Sequence, residues 1–381
     1  MESFIPYGKQ WISDDDIKEV ERVLRSDFLT QGPEVKIFED KLCTLTGAKY
    51  CVAVANGTAA LHIAVAALKI DMGSEGITSP NTFAASANCM LYNGLIPRFA
   101  DINPQTHNID PEQITSIVNE KTKLIIPVHF AGLPAEMGKI SKIAKQHDLY
   151  VIEDAAHAIG SQYADRTYVG NCIYSDMTIF SFHPVKTITT GEGGAITTNS
   201  EVLYERLLML RSHGITKDTD KLSINPGPWY YEMQELGYNY RLTDMQAALG
   251  SSQLTRLHDF KHRRREIIKR YSKAFREVPW LTIPMEPEDV SSCFHLYVLR
   301  FNFLTLGKTR SEIMNHLFDH NVGTQVHYIP VNQLPYFSKR NKDKTPNSDS
   351  YYEQCLSIPL YPRMSDSDVD HVIESILKLP L

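Results

Sequence analysis

At 381 residues, 43% of them hydrophobic, the chain is long enough to bury a large core and to divide into two domains. Its net charge of -6, with no long basic run, argues against nucleic acid as a partner. The six scattered cysteines (Cys43, Cys51, Cys89, Cys172, Cys293 and Cys355) include no CxxC pair, and read as small buried hydrophobes of a reducing compartment rather than a disulfide frame.

The start, Met1-Glu2-Ser3-Phe4-Ile5-Pro6-Tyr7, has neither the basic opening nor the apolar stretch of an export signal, so a cytoplasmic location is expected. Residues 51–68 carry no charged side chain apart from His62 and are long enough to suggest a bilayer span. Asn56-Gly57-Thr58 interrupts them, however, and a short strand, a turn and an alanine-rich helix over 59–68 explain the pattern better. No membrane partner is expected. Further apolar runs at 77–79, 96–100, 123–128, 150–153, 177–181 and 195–198 read as strands. Helices are predicted over 82–91, 111–118 (with Pro111 at its start), 136–146 and 201–211. Alternation of this kind implies βαβ units and a mainly parallel sheet of about seven strands, covered on both faces.

A long helix is predicted from Arg241 to about Val278, ended by Pro279. The basic cluster Lys261-His262-Arg263-Arg264-Arg265 falls within it and reads as a solvated face. A smaller α+β unit follows, with strand-like 295–301, helix 309–320, strand-like 324–328 and a closing helix 366–377. The polar stretch 341–350 is the best candidate for a mobile loop. The expected division is an α/β domain over 13–250 and a small α+β domain over 251–381, joined by 1–12. His316 and His320 have a metal-like spacing with no third ligand nearby, so no metal is expected.

In open α/β sheets, ligands bind beyond the carboxyl ends of the strands, and chemically suggestive residues gather there. Lys186 lies on a short loop between Ser181 and the turn Gly191-Glu192-Gly193-Gly194; burial there would leave a nucleophilic amine. Gly57-Thr58 stands where a strand passes into a helix, which suits either a phosphate or an ordinary turn with a threonine cap. Asp154 ends a strand, where it can hold a ring nitrogen protonated or cap a helix. Ser181 can add a phosphate hydroxyl, and Phe83 is either core or an aromatic face for a flat cofactor. A phosphate cradle, an aromatic platform, a carboxylate for a ring nitrogen and an amine for an aldehyde together specify pyridoxal 5'-phosphate (PLP).

The ordered segments Phe28-Leu29-Thr30-Gln31-Gly32, Asn56-Gly57-Thr58-Ala59-Ala60-Leu61, Glu153-Asp154-Ala155-Ala156-His157, Ser181-Phe182-His183-Pro184-Val185-Lys186, Arg211-Ser212-His213-Gly214, Gly237-Tyr238-Asn239-Tyr240-Arg241 and Gln325-Val326-His327-Tyr328 run nearly end to end. With them the chain resembles the DegT/DnrJ/EryC1/StrS nucleotide-sugar aminotransferases, most of all their pseudaminic-acid branch. The resemblance implies the type I PLP-dependent aminotransferase fold. It also implies amination, at C4, of a UDP-linked 4-keto-6-deoxy-N-acetylhexosamine, with glutamate leaving as 2-oxoglutarate. Lys186 would bind the cofactor aldehyde, Asp154 would face the ring nitrogen, and His157 would lie near the ring hydroxyl. Gly57, Thr58 and Ser181 would hold the phosphate, and Asn239 would reach that of a neighbouring subunit, implying a homodimer with shared sites. Tyr7, Asp27, Phe28, Leu29, Thr30, Gln325, Val326, His327 and Tyr328 would line the sugar and nucleotide pocket; His183 either joins them or supports the lysine loop. Three rivals stand beside this reading. A same-fold sugar dehydratase usually has histidine at the lysine position, a regulatory relative would carry an added DNA-binding domain, and a phosphate-binding scaffold would not need Lys186 and Asp154 together.

Overall fold

The computed structural model describes residues 4–379. Residues 1–3, which form part of the basis for expecting no export, and 380–381, the end of the expected small domain, lie outside the described residues. Seven strands form one sheet: β1 (Tyr50–Val54), β2 (Glu75–Thr78), β3 (Ile96–Phe99), β4 (Thr122–Ile126), β5 (Tyr150–Asp154), β6 (Met177–Ser181) and β7 (Gly194–Thr198), in the order β1-β7-β6-β5-β4-β2-β3. Strands β3, β2, β4, β5 and β6 run parallel, and β7 is antiparallel to both its neighbours. The chain therefore has the α/β architecture expected of it, built on a mainly parallel seven-stranded sheet.

Helices α1 (Asp14–Leu24), α2 (Pro33–Thr46), α3 (Gly57–Ala67), α4 (Ala85–Tyr92), α5 (Pro111–Ile117), α6 (Met137–His147) and α7 (Glu201–Arg211) surround this sheet. Pro33 and Pro111 open α2 and α5, where a missing N–H costs nothing. Helix α3 is apolar nearly all round because it is buried among the sheet, α4 and α7. One apolar layer, including Phe38, Ile125, Phe180 and Phe260, fills one face of the sheet; another, including Val52, Ile63, Ile152 and Ile179, fills the other.

The long helix expected over 241–278 is two helices, α8 (Asp244–Thr255) and α9 (Leu257–Phe275). They divide at Arg256, whose guanidinium is drawn to Asp16 and the Trp11 carbonyl and lies over the Trp11 and Phe260 rings. A separate core holds Ile267, Tyr271, Phe275, Tyr297, Leu299 and Val372, together with Ile5 from the chain start. Its antiparallel sheet joins β8 (Leu281–Thr282), β9 (Tyr297–Phe301) and β10 (Cys355–Ile358), and the helix Asp366–Leu377 packs on α9.

Three other expectations are corrected. The basic cluster is not a solvated face: Arg264 is 2% exposed and donates to the carbonyls of Phe294, His295 and Leu360, while Lys261, Arg263 and Arg265 bond to Gly160, Met364 and Ser292. Residues 324–328 form no strand; Gln325 alone pairs with Ser357, after which the His327 ring turns to the Ser357 hydroxyl. The 341–350 stretch is anchored, because Asp343 accepts from the Arg98 guanidinium and the Phe99 amide, and the helix Pro346–Gln354 begins inside it. No helix among the described residues is long and apolar enough to cross a membrane.

Candidate active site

A cavity of about 900 Å3 opens where the carboxyl ends of β5 and β6 meet the amino end of α3. It is lined by Tyr7, Gly57, Thr58, Phe83, Asp154, His157, Ser181, His183, Lys186 and the run Gln325 to Tyr328. Five other predicted residues do not line it. Asp27, Phe28, Leu29, Thr30 and Asn239 are exposed on this chain's surface.

Each wall follows from local structure. The Asn56 side chain caps α3 by accepting from the Ala59 amide, leaving the amides of Gly57 and Thr58 at the open, electropositive end. A side chain at 57 would be pressed against the neighbouring strand, since an added Cβ would lie 2.8 Å from Ser181 Cβ. Glycine therefore lets α3 and the end of β6 converge on one spot. The lysine loop is drawn tight between β6 and β7: Phe182 N–H donates to Gly193 O, Thr190 N–H to Phe182 O, and Lys186 N–H to His183 O. His183 accepts weakly from Val185 N–H at 3.4 Å, a contact that supports the loop while its ring stays exposed at the rim.

Lys186 Nζ makes no hydrogen bond or close ion pair among the described residues. Burial lowers its pKa to about 8, with the Asp154 charge acting in the opposite direction. Asp154 is 6% exposed; it accepts from Ser86 Oγ at 2.6 Å and from Ala156 N–H at 3.1 Å. The second bond closes a turn where a helix cap was the alternative reading. His157 is buried, with Nε2 3.1 Å from Tyr328 OH and its ring 4.4 Å from that of His295. His157 Nδ1 has no partner among the described residues. Burial, reinforced by the Lys186 charge, pushes the His157 pKa well down and takes His327 to about 3. Burial likewise raises the Tyr328 phenol, helped by Asp154. Phe83 is 64% exposed at the rim, its ring 6.5 Å from that of Tyr328.

Ser86 and His295 were not anticipated. The sequence shows His295 only as the first residue of a strand-like run, and Ser86 only as part of the helix predicted over 82–91. His62, Tyr92, Tyr240 and Glu192 also reach the cavity. The donor set fits a phosphorylated pyridine aldehyde. A buried carboxylate faces the same space as a desolvated amine, free helix amides stand beside a serine hydroxyl, and an unpartnered imidazole nitrogen borders the cavity.

The profile of the DegT/DnrJ/EryC1/StrS aminotransferase family matches residues 10–377. The spore coat polysaccharide biosynthesis protein SpsC of Bacillus subtilis strain 168 is 44% identical over 377 residues, spanning 98% of this chain and 96% of that protein. Among solved structures, Helicobacter pylori PseC, an aminotransferase involved in the biosynthesis of pseudoaminic acid, superposes with a TM-score of 0.92 at 30% identity, covering 99% of both chains. Spr1654 of Streptococcus pneumoniae, solved in a PLP form, gives 0.90 at 30% identity over 99% of this chain and 98% of that one; its PMP form gives 0.91.

Proposed function

Because the chain belongs to the DegT/DnrJ/EryC1/StrS aminotransferase family and is a PLP-dependent sugar aminotransferase, we propose that it moves the amino group of glutamate to C4 of a UDP-linked 4-keto-6-deoxy-N-acetylhexosamine, releasing 2-oxoglutarate. The observation that carries this reading is the presence of Lys186, Asp154 and the open end of α3 around one cavity.

When bound, the cofactor supplies an aldehyde that accepts an amino group and a cationic ring that withdraws electrons. In our reading Lys186 Nζ anchors it and, once released, carries a proton as general base and then acid. Asp154, steadied by Ser86, keeps the ring nitrogen protonated. Gly57, Thr58 and Ser181 take the phosphate, Phe83 offers its face to the ring, and His157 reaches the ring hydroxyl. Tyr7, His183 and Gln325 to Tyr328 border the sugar. We assign Asp27 to Thr30 and Asn239, all exposed on this chain, to the site of a second copy in a cytoplasmic homodimer. We further take the two apolar cores as marking domains 13–250 and 251–381 with 1–12.

The 44% identity to SpsC, against 30% to PseC, favours a second reading, in which the acceptor is another nucleotide-linked keto-sugar of a surface polysaccharide. Incubation with glutamate and a panel of UDP- and dTDP-linked 4-keto sugars, read by mass spectrometry, distinguishes the two. Glutamate-dependent amination of the UDP-linked N-acetyl sugar is expected. Turnover of a dTDP sugar alone would select the second reading, and amination of none would reject both.

A further inference from the structure

Glu153 immediately precedes Asp154, so its side chain points to the other face of the sheet, away from the cavity. It is fully buried yet charged in character. Burial alone would raise its pKa, but hydrogen bonds from His129, Ser175 and Tyr163 outweigh that and hold it low. Four donors surround it: His129 Nε2 at 2.8 Å, Tyr163 OH at 2.5 Å, Ser175 Oγ at 2.5 Å and Thr178 Oγ1 at 3.0 Å. The Ala135 amide donates to His129 Nδ1 at 3.0 Å, so the ring carries its proton on Nε2 and donates it to Glu153.

His129 also begins the turn after β4, and that turn touches the site from behind. Its own N–H donates to Asp154 O at 3.0 Å, while Asp154 N–H donates to Pro127 O at 2.8 Å, so both ends of the Asp154 residue are held by 127–129. Two residues on, Ala131 O accepts from His295 N–H at 2.9 Å. Gly132, at φ +94°, lies so close that a Cβ would sit 3.0 Å from His157 O and from His295 N. One turn therefore sets Asp154, His157 and His295 together, and its first side chain is fixed by Glu153.

We propose that Glu153 and His129 form a positioning pair, locking the 129–132 turn so that the carboxylate of Asp154 is presented to the cofactor ring. The pair touches neither substrate nor cofactor. Its effect passes through the peptide of Asp154, and the inference rests on the reading of Asp154 given above.

The test compares the full-length variants His129→Phe and Tyr163→Phe, measuring the PLP dissociation constant by absorbance titration alongside the thermal midpoint. H129F keeps an aromatic ring at the start of the turn but loses the bonds to Glu153 and to the Ala135 amide. Y163F removes a donor that shares Glu153 Oε2 with His129, while leaving the His129 bonds to Glu153 and to the Ala135 amide in place. H129F should weaken PLP binding about tenfold or more. Y163F should lower the thermal midpoint while leaving PLP affinity within about twofold of wild type, because His129 still reaches Glu153. Unchanged affinity in H129F would overturn the proposal, as would losses that track thermal stability equally in the two variants. Should H129F not fold, His129→Asn, too short to reach both partners at once, takes its place with the same expectations. Asp154→Ala separates the two levels of the argument. If D154A binds PLP as wild type does, the reading of Asp154 fails; if D154A weakens binding and H129F does not, only the positioning role fails.

Discussion

The amine at the centre of this site is held where burial opposes its charge. Lys186 shares its cavity with the buried imidazoles of His157, His295 and His327, among others, and the Asp154 charge only partly offsets the burial. The imidazoles yield first. Burial and the lysine charge keep them unprotonated, so they neither repel Lys186 strongly nor compete for its proton. An amine is nucleophilic only without its extra proton, and the fraction in that form rises with pH through the pKa. Cofactor uptake by PLP-free protein should therefore accelerate with a midpoint near pH 8, rather than near the 10.5 of an ordinary lysine. Stopped-flow absorbance across that range checks this, and a rate still climbing well above pH 9 would contradict it.

At the scale of elements, legibility depended on whether the cause of a feature is local. Strand β6 and the helices Glu201–Arg211 and Asp366–Leu377 begin and end where the sequence predicts, because turn residues and the caps Ser200 and Ser365 sit beside them. The division of α8 from α9 has no glycine or proline to announce it. It follows from Arg256 meeting Asp16, a contact spanning 240 positions of chain. The anchoring of Asp343 by Arg98 spans 245 and is equally silent. Arg264 was within reach: it falls on the inward stripe of Leu257, Phe260, Ile267 and Tyr271, a spacing that places it inside whatever its charge. The site motifs were readable because glycines, a lysine and a carboxylate at strand ends have few structural reasons to occur together. His295 was not, since a histidine opening a strand carries no such mark.

For the whole molecule, α9 bridges the two cores, with Leu257 and Phe260 in the first and Ile267 to Phe275 in the second, so the small unit's residues reach the sheet's edge in a fixed relation. Phe28, Leu29, Trp229, Met233 and Leu236 remain exposed on a single chain, the kind of apolar surface that a second copy covers. If the proposed dimer shares its sites, inactive Lys186→Ala and Asn239→Ala chains should restore each other when mixed and refolded together. Random pairing gives half heterodimers, each with one intact site, hence about a quarter of wild-type turnover. No recovery would place both residues in one subunit's site.

The central claim is that Lys186 is the residue to which the cofactor is joined. Borohydride reduction of the purified, PLP-loaded protein followed by peptide mass spectrometry reads this directly. A stable pyridoxyl adduct is expected on Lys186 and on no other lysine; an adduct on a different residue, or none at all in protein that has bound PLP, would contradict that role for Lys186.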